Sequence, residues 1–375
     1  MSVPVLVNLL WCLPGQVGGS EEYLARTLTG FVEDAHGFDL TVVAPPGLAE
    51  AHPGIGAHLR WRVGPVDGPS RVRRVLAERT WLPRVIRQCG HRLVHHAGGS
   101  SPRTAVPVVL TIHDLQYLTY PEYFSRQKLL WLRTVVPRSA RHAAVVTVPS
   151  EFVRSTVLDA FDLAPDRVLV VPHGIRSGER EWSATPEHLL RPRYGLPGPY
   201  VVFPAITHPH KDHVTLLQAF APLTNARPDL RLVLLGGRGS AADEVTRSVG
   251  ELGIGSRVVR PGRVPDEDRN GLIAHATVLA FPSRYEGFGA PVLEAMALGT
   301  PVVAADATAV PEVLAGAGVL VPPGDVASWT HELARLLDDV EEQRRLVRLG
   351  RHRAAELTLG RSAAAQAEAY RRALA

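Results

Sequence analysis

The chain of 375 residues has the composition of a soluble globular protein, with 45% hydrophobic and 21% charged residues and a formal net charge of +4. This length predicts two domains rather than one core, and the composition excludes a disordered or fibrous chain. No apolar run approaches the ~20 residues that a membrane-spanning helix needs. The mild positive charge favours phosphorylated ligands or an anionic membrane surface as partners. No zinc-finger spacing or basic region interleaved with aromatics points to nucleic acid.

The N-terminal run MSVPVLVNLLWCLPG is apolar but lacks a basic leader, and a glycine loop follows it at once. It is therefore interpreted as a buried first strand rather than as a signal peptide. Cys12 and Cys89 offer at most one pair and no metal-type spacing. A reducing, cytoplasmic compartment is the expectation.

In the first half of the chain, short apolar runs alternate with amphipathic helical patterns. The predicted strands are VPVLVNLL, FDLTVVA, RLVHH, VPVVLTIHD, AAVVTVPS and VLVVPHG. Most are apolar on both faces, as parallel strands covered by helices would be. The helical patterns include SEEYLARTLTGFVEDA, with Ser20 as the expected N-cap, and SEFVRSTVLDAFD. Residues 1–178 are predicted to form one doubly wound α/β domain.

Residues 179–198 are polar, rich in Pro and Gly and without clear periodicity, so they are predicted to be an interdomain linker. The α/β pattern restarts over residues 199–355 with YVVFPA, LRLVLLGG, RVVRPG, TVLAFPS, PVVAAD and GVLVPP. Residues 356–375 form a last helix that could pack back on the N-terminal domain. The predicted fold class is α/β, with two Rossmann-like domains facing a cleft.

Two loops stand at the carboxyl ends of predicted strands, where such folds bind ligands. In PGQVGGSEEYL, Gly18 and Gly19 precede a helix, and a backbone without Cβ can approach an anion closely there. An ordinary glycine turn explains this loop equally well.

In SRYEGFGAPVLEAMALGTPVVAAD, Glu286 precedes a glycine-flanked Phe288, and Glu294 lies about one turn into the next helix. Two carboxylates with amide donors between them suit a sugar nucleotide, whereas a capping acid and a solvated acid are the alternative.

The segment PSRYEGFGAPVLEAMALGTPVVAADATAVPEV resembles the E-x7-E signature of the retaining GT-B glycosyltransferases of family four, which include many bacterial mannosyltransferases. The segments GGSEEYLARTL, TIHDLQYLTYPEYFS, TVPSEFVRSTV, VVPHGI, HKDHVTLLQAF and LVLLGG are similar to that family in order and spacing. The resemblance therefore covers nearly the whole chain.

The resemblance implies roles for particular residues. Glu286 would bind hydroxyls of the donor sugar, and Glu294 would bind the ribose. Gly18, Gly19 and the amides around Phe288 and Gly289 would hold phosphate oxygens. His113, at the end of VLTIHD, would contact the transferred hexose, although a histidine at a strand end is often only packed.

The segment THPHKDH, residues 207–213, follows the first strand of the second domain. Lys211 matches the family's lysine for the donor diphosphate, and it is one of only two lysines in the chain, the other being Lys128. The family's arginine before it is missing, and its charge would come from His208, from a distant arginine or from nowhere. Zinc binding by the three histidines is disfavoured, because His210 and His213 flank a cation.

Two further patterns have alternative interpretations. The run DED, residues 266–268, imitates the D-x-D of metal-dependent transferases but is better explained as acids in the first turn of a helix. His95 and His96 in LVHHAGG either line the acceptor side or are polar residues at a strand end.

The sequence therefore predicts a retaining, metal-independent hexosyltransferase without cofactor, with mannose from GDP-mannose as the best guess for the donor. The acceptor would be a glycan, a lipid-linked glycan or a small molecule. The expected location is cytoplasmic, with association at the inner face of the membrane left open. The alternatives are another GT-B sugar-nucleotide enzyme, such as an epimerase, and a non-catalytic GT-B subunit.

Overall fold

The computed structural model describes residues 2–15, 18–176 and 182–375. The chain divides into two compact units, Met1–Gly174 with Leu357–Ala375, and Ile175–Glu356. Each unit contains one parallel β-sheet with helices packed on it. The predicted fold class, two Rossmann-like α/β domains, is confirmed.

The first unit contains a seven-stranded parallel sheet in the order β3-β2-β1-β4-β5-β6-β7. Its strands are β1 (Val3–Asn8), β2 (Phe38–Ala44), β3 (Arg60–Val63), β4 (Leu93–His96), β5 (Val108–Thr111), β6 (Val145–Val148) and β7 (Val168–Val170). Its helices are α1 (Gly19–Glu33), α2 (Leu48–Ala51), α3 (Pro53–Gly56), α4 (Arg71–Thr80), α5 (Leu82–Gln88), α6 (Gln116–Thr119), α7 (Arg126–His142) and α8 (Glu151–Phe161). The central strands β4, β5 and β6 are buried on both faces, which explains why most of their residues are Val or Leu.

The second unit contains a six-stranded parallel sheet in the order β10-β9-β8-β11-β12-β13. Its strands are β8 (Tyr200–Pro204), β9 (Arg231–Leu235), β10 (Val258–Gly262), β11 (Val278–Phe281), β12 (Val302–Ala305) and β13 (Val319–Val321). Its helices are α9 (Glu187–Tyr194), α10 (His213–Phe220), α11 (Ala242–Glu251), α12 (Asp266–Ala274), α13 (Ala290–Leu298), α14 (Val310–Leu314), α15 (Val326–Asp338) and α16 (Val340–Glu356). Each of these strands coincides with a run that the sequence predicts.

The last helix, α17 (Leu359–Leu374), belongs to the first unit. Ala363, Ala367 and Tyr370 are buried in the same core as strands β1 and β2. At Gly30 of α1, an added Cβ would lie only 2.5 Å from the Leu359 carbonyl oxygen. Glycine is therefore required at this position, because any side chain would push α1 away from α17.

Three local features differ from the sequence prediction. Strand β3 was not predicted, because RWRV lies at the sheet edge with mostly exposed side chains and has no apolar run. Helix α1 begins at Gly19 with Gly18 as its N-cap, so Ser20 lies inside the first turn. The second half of the predicted linker is helix α9, which belongs to the second unit and buries Leu190. Residues 177–181 of that boundary lie outside the described residues.

Among residues 2–15, 18–176 and 182–375, no helix combines the length and the apolar character that crossing a bilayer requires.

Candidate functional site

The strand order of the second sheet locates a ligand site within that unit. Strands β8 and β11 are neighbours, and the connections run in opposite directions on either side of them. In open α/β sheets, ligands bind beyond the carboxyl ends of the strands at such a switch point. The loop after β8 contains Lys211, and the loop after β11 contains Glu286. The topology therefore brings these two predicted residues together.

Lys211 and Glu286 form a direct ion pair. Lys211 Nζ donates to Glu286 Oε1 at 2.5 Å, with the side chains 17% and 13% exposed. The ammonium also lies 5.6 Å from the centroid of the Phe281 ring. Both charges are thus held in a partly dehydrated setting, where electrostatic interactions are stronger than in water.

Thr308, which the sequence did not single out, holds the backbone of Glu286. The Glu286 amide donates to Thr308 Oγ1 at 2.9 Å. Thr308 has φ of 54°, in the left-handed region that β-branched residues rarely adopt. This strained residue therefore fixes the loop that carries one of the predicted carboxylates.

The start of α13 offers backbone amide donors beside this pair. Gly289 is the N-cap with φ of 97°, and no described side chain caps the helix. Pro291 lies in the first turn, as the sequence predicts, and the first turn contains no acid. Phe288 is buried. The Val292 amide already donates to the Gly289 carbonyl oxygen at 3.0 Å, and Pro291 has no N–H, so the amides of Gly289 and Ala290 are the ones that could face an anion.

Glu294 lies inside α13 and is 3% exposed. Its Oε2 accepts a hydrogen bond from Arg269 Nη2 of α12, in an ion pair that the sequence did not predict. Arg269 directly follows the acidic run 266–268. Its position on helix α12 was the only feature of the sequence that could have indicated this ion pair. The pair supplies a counter-charge for this buried carboxylate.

The acidic run is explained by its place in the first turn of a helix and by ion pairing. It forms the first turn of α12, as predicted. Asp268 accepts hydrogen bonds from Thr185, Tyr194 and Arg193, and these bonds lower its pKa to about 2.

In the THPHKDH segment, Lys211 closes a 3-10 turn, Pro209–Lys211. Burial lowers the pKa of both His210 and His213 to about 3. The rings of His208 and His210 stack with centroids 5.8 Å apart. Within the described part of the chain, no three His, Cys, Asp or Glu side chains converge as metal ligands would.

An arginine does reach this segment from the loop after β11. Arg284 Nε donates to Asp212 at 2.7 Å, and the Arg284 amide donates to the His210 carbonyl oxygen at 2.7 Å. Its guanidinium is 44% exposed. Arg284 is thus a candidate for the charge that the family's missing arginine would supply, although Asp212 already engages it.

In the first unit, the loop that is predicted to bind phosphate contains an acidic side chain, Glu21, that has partners of its own. Gly18 has φ of 78°, and a Cβ at Gly18 or Gly19 would meet no atom within 4 Å, so the surrounding space is open. Glu21 accepts from the Gly15 amide at 2.9 Å and pairs with His52 at 3.0 Å. A carboxylate in the first turn opposes an anion there. Gln16 and Val17 of this loop lie outside the described residues, and phosphate binding at Gly18 and Gly19 stays a prediction.

His95 and His96 are fully buried, so the structure supports their interpretation as packed residues at a strand end. His95 lies between Tyr370 Oη at 2.9 Å and Thr111 Oγ1 at 2.7 Å. His96 Nδ1 lies 3.0 Å from Asn8 Nδ2. Burial lowers the pKa of both imidazoles to about 3, so both are neutral at physiological pH. The prediction that they line an acceptor surface is not supported.

His113 follows β5 and has a defined tautomer. Its Nε2 lies 2.9 Å from the Ala97 carbonyl oxygen. Because a carbonyl can only accept, Nε2 carries the proton and Nδ1 is left as an acceptor. Burial lowers the His113 pKa to about 4. The ring packs between Trp11 and Tyr23.

The Tyr23 ring also contacts a second histidine, for which the sequence predicted no role. Its ring stacks on His173 with centroids 4.4 Å apart. His173 belongs to the quoted VVPHGI segment, and that motif was the signal that could have identified it.

Both halves of the chain match models of known protein families. Residues 17–178 match the family model described as Glycosyltransferase Family 4, and residues 192–353 match the model described as Glycosyl transferases group 1.

Two curated relatives are mannosyltransferases by name. The chain is 34% identical over 242 residues to O-antigen chain mannosyltransferase B of Escherichia coli, an alignment covering 64% of this chain and 63% of that protein. It is 33% identical over 259 residues to the GDP-mannose-dependent alpha-(1-6)-phosphatidylinositol monomannoside mannosyltransferase of Mycolicibacterium smegmatis, covering 63% of this chain and 67% of that protein. The first of these alignments spans less than two thirds of its relative.

The fold is similar to that of a solved structure, Anabaena HepE in complex with UDP-glucose. The TM-score is 0.78 at 21% identity, over 98% of this chain and 99% of that one. From the two family models, the relatives and the fold, the chain belongs to the GT-B glycosyltransferases of family four.

Proposed function

We propose that this protein is a retaining, metal-independent hexosyltransferase whose donor is GDP-mannose. The two mannosyltransferase relatives support the sugar, and the name of the M. smegmatis relative supports the guanine nucleotide. HepE was solved with UDP-glucose, which makes glucose from UDP-glucose the second candidate. The acceptor is a glycan, a lipid-linked glycan or a small molecule.

The observation that carries the proposal is the Lys211–Glu286 ion pair beside the amides that open α13. A sugar nucleotide has hydroxyls at one end and a diphosphate next to the anomeric carbon. In the proposed complex, the Lys211 ammonium binds diphosphate oxygens and the Glu286 carboxylate accepts from hexose hydroxyls. The amides at Gly289 and Ala290 add donors for a second phosphate oxygen.

Glu294 provides the proposed contact to the ribose. Its Oε2 is bound by Arg269, so the carboxylate enters the complex with its orientation already set. A preorganised acceptor loses less entropy when it binds a hydroxyl. This contact is expected to contribute equally to ground-state and transition-state binding, because the ribose does not react.

The proposed reaction retains anomeric configuration by attack on the face that the leaving group departs from. The bond between the anomeric carbon and the diphosphate oxygen breaks, and the acceptor oxygen bonds to that carbon. The acceptor's proton goes to the departing phosphate oxygen. Lys211 and the α13 amides stabilise the developing diphosphate charge. His113, with Nδ1 as an acceptor, is proposed to bind a hydroxyl of the hexose.

Donor choice and reaction class can be tested together. Calorimetric titration with GDP, UDP, GDP-mannose and UDP-glucose is expected to give the highest affinity for the guanine nucleotides. Product analysis with a pooled set of acceptors then tests transfer. Turnover of the donor without an acceptor would instead indicate an epimerase-like enzyme, and binding without turnover in any condition would indicate a non-catalytic subunit.

A further inference from the structure

Tyr23 of α1 contacts two histidines that follow strands of the first sheet. Its ring meets the His113 imidazole at a right angle, with centroids 5.5 Å apart and an interplanar angle of 88°. The same ring stacks on His173, with centroids 4.4 Å apart and an interplanar angle of 30°. Edge contacts and stacked contacts are the two arrangements that aromatic rings favour. One tyrosine side chain therefore packs on the histidine that follows β5 and on the one that follows β7.

The position of Tyr23 is itself closely fixed. Its side chain is 1% exposed, and its hydroxyl donates to the Val171 carbonyl oxygen at 3.2 Å. One turn later on α1, Thr27 Oγ1 lies 3.3 Å from Ser362 Oγ of α17. Helix α1 is thus joined to α17 next to this tyrosine, so the ring cannot shift without disturbing the contact between the two helices.

His113 is held less completely. Within the described part of the chain its ring has one hydrogen bond, which Nε2 donates to the Ala97 carbonyl oxygen at 2.9 Å. That bond fixes Nε2 but lets the imidazole turn about it. The direction of Nδ1 therefore depends on the rings that pack on the imidazole, Tyr23 and Trp11. Tyr23 is the closer of the two and lies on a helix, whereas Trp11 lies in the loop that follows β1.

We propose that Tyr23 is a positioning residue, whose ring holds the His113 imidazole at the angle at which Nδ1 accepts a hydrogen bond from the transferred hexose. This inference rests on the proposed function, which assigns His113 to that sugar. Tyr23 acts only through His113, because its ring is buried and its hydroxyl is bound to the backbone.

The same packing keeps His113 uncharged. Its ionisable neighbours are the buried His95 and His173 and, next to it in the chain, Asp114, while Arg26 acts on His173. Burial lowers the pKa of His113 to about 4 and that of His173 well below its usual value. A smaller, flexible side chain in place of the tyrosine ring would admit water and so raise the His113 pKa. Protonation would remove the acceptor at Nδ1.

A matched control is needed, because Tyr23 also belongs to the core of the first unit. Phe31 lies two turns later on α1, is 4% exposed and belongs to the same core. In the described part of the chain its ring contacts are with His36 and Tyr370 rather than with His113. Phe31→Leu therefore disturbs the core to a similar extent and leaves the His113 ring in place.

The first measurement is steady-state transfer by the full chain. Tyr23→Leu and Tyr23→Met remove the flat ring, and both should lower kcat about tenfold, because a misplaced group loses its contact in the transition state. Donor KM should change by less than about threefold. Tyr23→Phe keeps the ring and should retain kcat within about twofold, as should Phe31→Leu.

The second measurement is NMR titration of the histidines, with the His113 signal identified by its loss in His113→Asn. The His113 pKa should rise by about one unit or more in Tyr23→Leu and Tyr23→Met. It should stay unchanged in Tyr23→Phe and Phe31→Leu. A role of Tyr23 in stability alone would lower the unfolding temperature without moving the His113 titration.

Unchanged kcat in a folded Tyr23→Leu or Tyr23→Met would overturn the proposal, and so would a fall in kcat with an unmoved His113 pKa. Equal losses in Phe31→Leu would overturn it as well. If thermal unfolding shows that neither Tyr23→Leu nor Tyr23→Met folds, Tyr23 serves stability and the proposal is wrong. Calorimetry of donor binding tests the proposed function separately. If the unaltered chain transfers no sugar, that function fails, and the titration alone decides whether Tyr23 holds His113.

Discussion

Lys211 Nζ and Glu286 Oε1 lie 2.5 Å apart, so two residues that the sequence assigns to different parts of the donor form one ion pair. The lysine would bind the diphosphate and the glutamate would bind the hexose, yet the ion pair lets each side chain fix the position of the other. Substitutions at the two positions are therefore expected to interact rather than to add.

The first prediction is a double-mutant cycle on this pair. Lys211→Ala should weaken nucleoside diphosphate binding by ~1.5–3 kcal/mol, because it removes a charge-assisted contact. Glu286→Ala should lower kcat strongly and leave nucleoside diphosphate affinity nearly intact. In donor binding the double variant should depart from additivity by ~0.5 kcal/mol or more. Calorimetry and steady-state kinetics provide the measurements. Lys128→Ala, the other lysine, is the control, and additive effects would show that the pair is incidental.

The second prediction concerns Glu294 and Arg269. Glu294→Ala should raise donor KM with little change in kcat, because the ribose contact is uniform between ground and transition states. Arg269→Met should have the same kinetic effect. It should also destabilise the unit by roughly 3 kcal/mol, because a buried carboxylate loses its counter-charge.

Arg193→Met is the matched control, since Arg193 pairs with Asp268 on the same helix as Arg269. It should leave donor KM unchanged. A normal donor KM in Arg269→Met would show that Arg269 does not position Glu294.

The strands of both sheets were largely predictable, because parallel strands buried on both faces require long Val and Leu runs. Strand β3 was not predictable, because RWRV lies at the edge of the sheet, where its mostly exposed side chains need not be apolar. Lys211 and Glu286 could be found from local motifs. Arg269 and Thr308 could not, because their partners are 25 and 22 residues away in sequence and meet them only in the folded unit. The burial of His95 depends in the same way on the distant Tyr370.

The third prediction tests Thr308 as a positioning residue. Thr308→Val removes the oxygen that accepts from the Glu286 amide but keeps the shape of the side chain. It should lower kcat about tenfold and leave nucleoside diphosphate affinity unchanged. The reason is that the substitution frees only the loop that carries Glu286, which is assigned to the hexose of the donor. Thr308→Ser keeps the hydroxyl and should retain the activity.

Thr308→Gly separates strain from hydrogen bonding. It should relieve the left-handed backbone strain of roughly 1 kcal/mol, yet lower kcat as Thr308→Val does. If Thr308→Val keeps full kcat, the hydrogen bond does not serve the reaction.

The fourth prediction is that transfer persists in excess EDTA. The acids of α12 lie in the first turn of the helix, where Asp268 binds Arg193, and the donor diphosphate is assigned to Lys211 and to backbone amides. The measurement is the initial rate with and without chelator, followed by addition of Mg²⁺, Mn²⁺ or Zn²⁺. Loss of the rate on chelation and its return with one of these ions would contradict the assignment.

The last prediction concerns acid stability. Burial lowers the pKa of His95 and His96 to about 3 and that of His113 to about 4, whereas an unfolded histidine titrates near ~6.5. Between these values the unfolded chain takes up protons that the folded chain does not, so folding becomes less favourable as the pH falls. Each histidine should contribute about 1 kcal/mol of lost stability between pH ~7.5 and pH ~5.5.

Denaturant unfolding across this pH range measures the effect. His95→Asn should reduce the slope of the unfolding free energy against pH, by up to about 1.4 kcal/mol per pH unit, whatever its effect on stability at neutral pH. His352, which is 83% exposed, provides the control for a His-to-Asn change at the surface. A slope that is the same in all three proteins would mean that His95 takes up its proton equally in the folded and unfolded chains, and the buried, neutral state assigned to it would then be wrong.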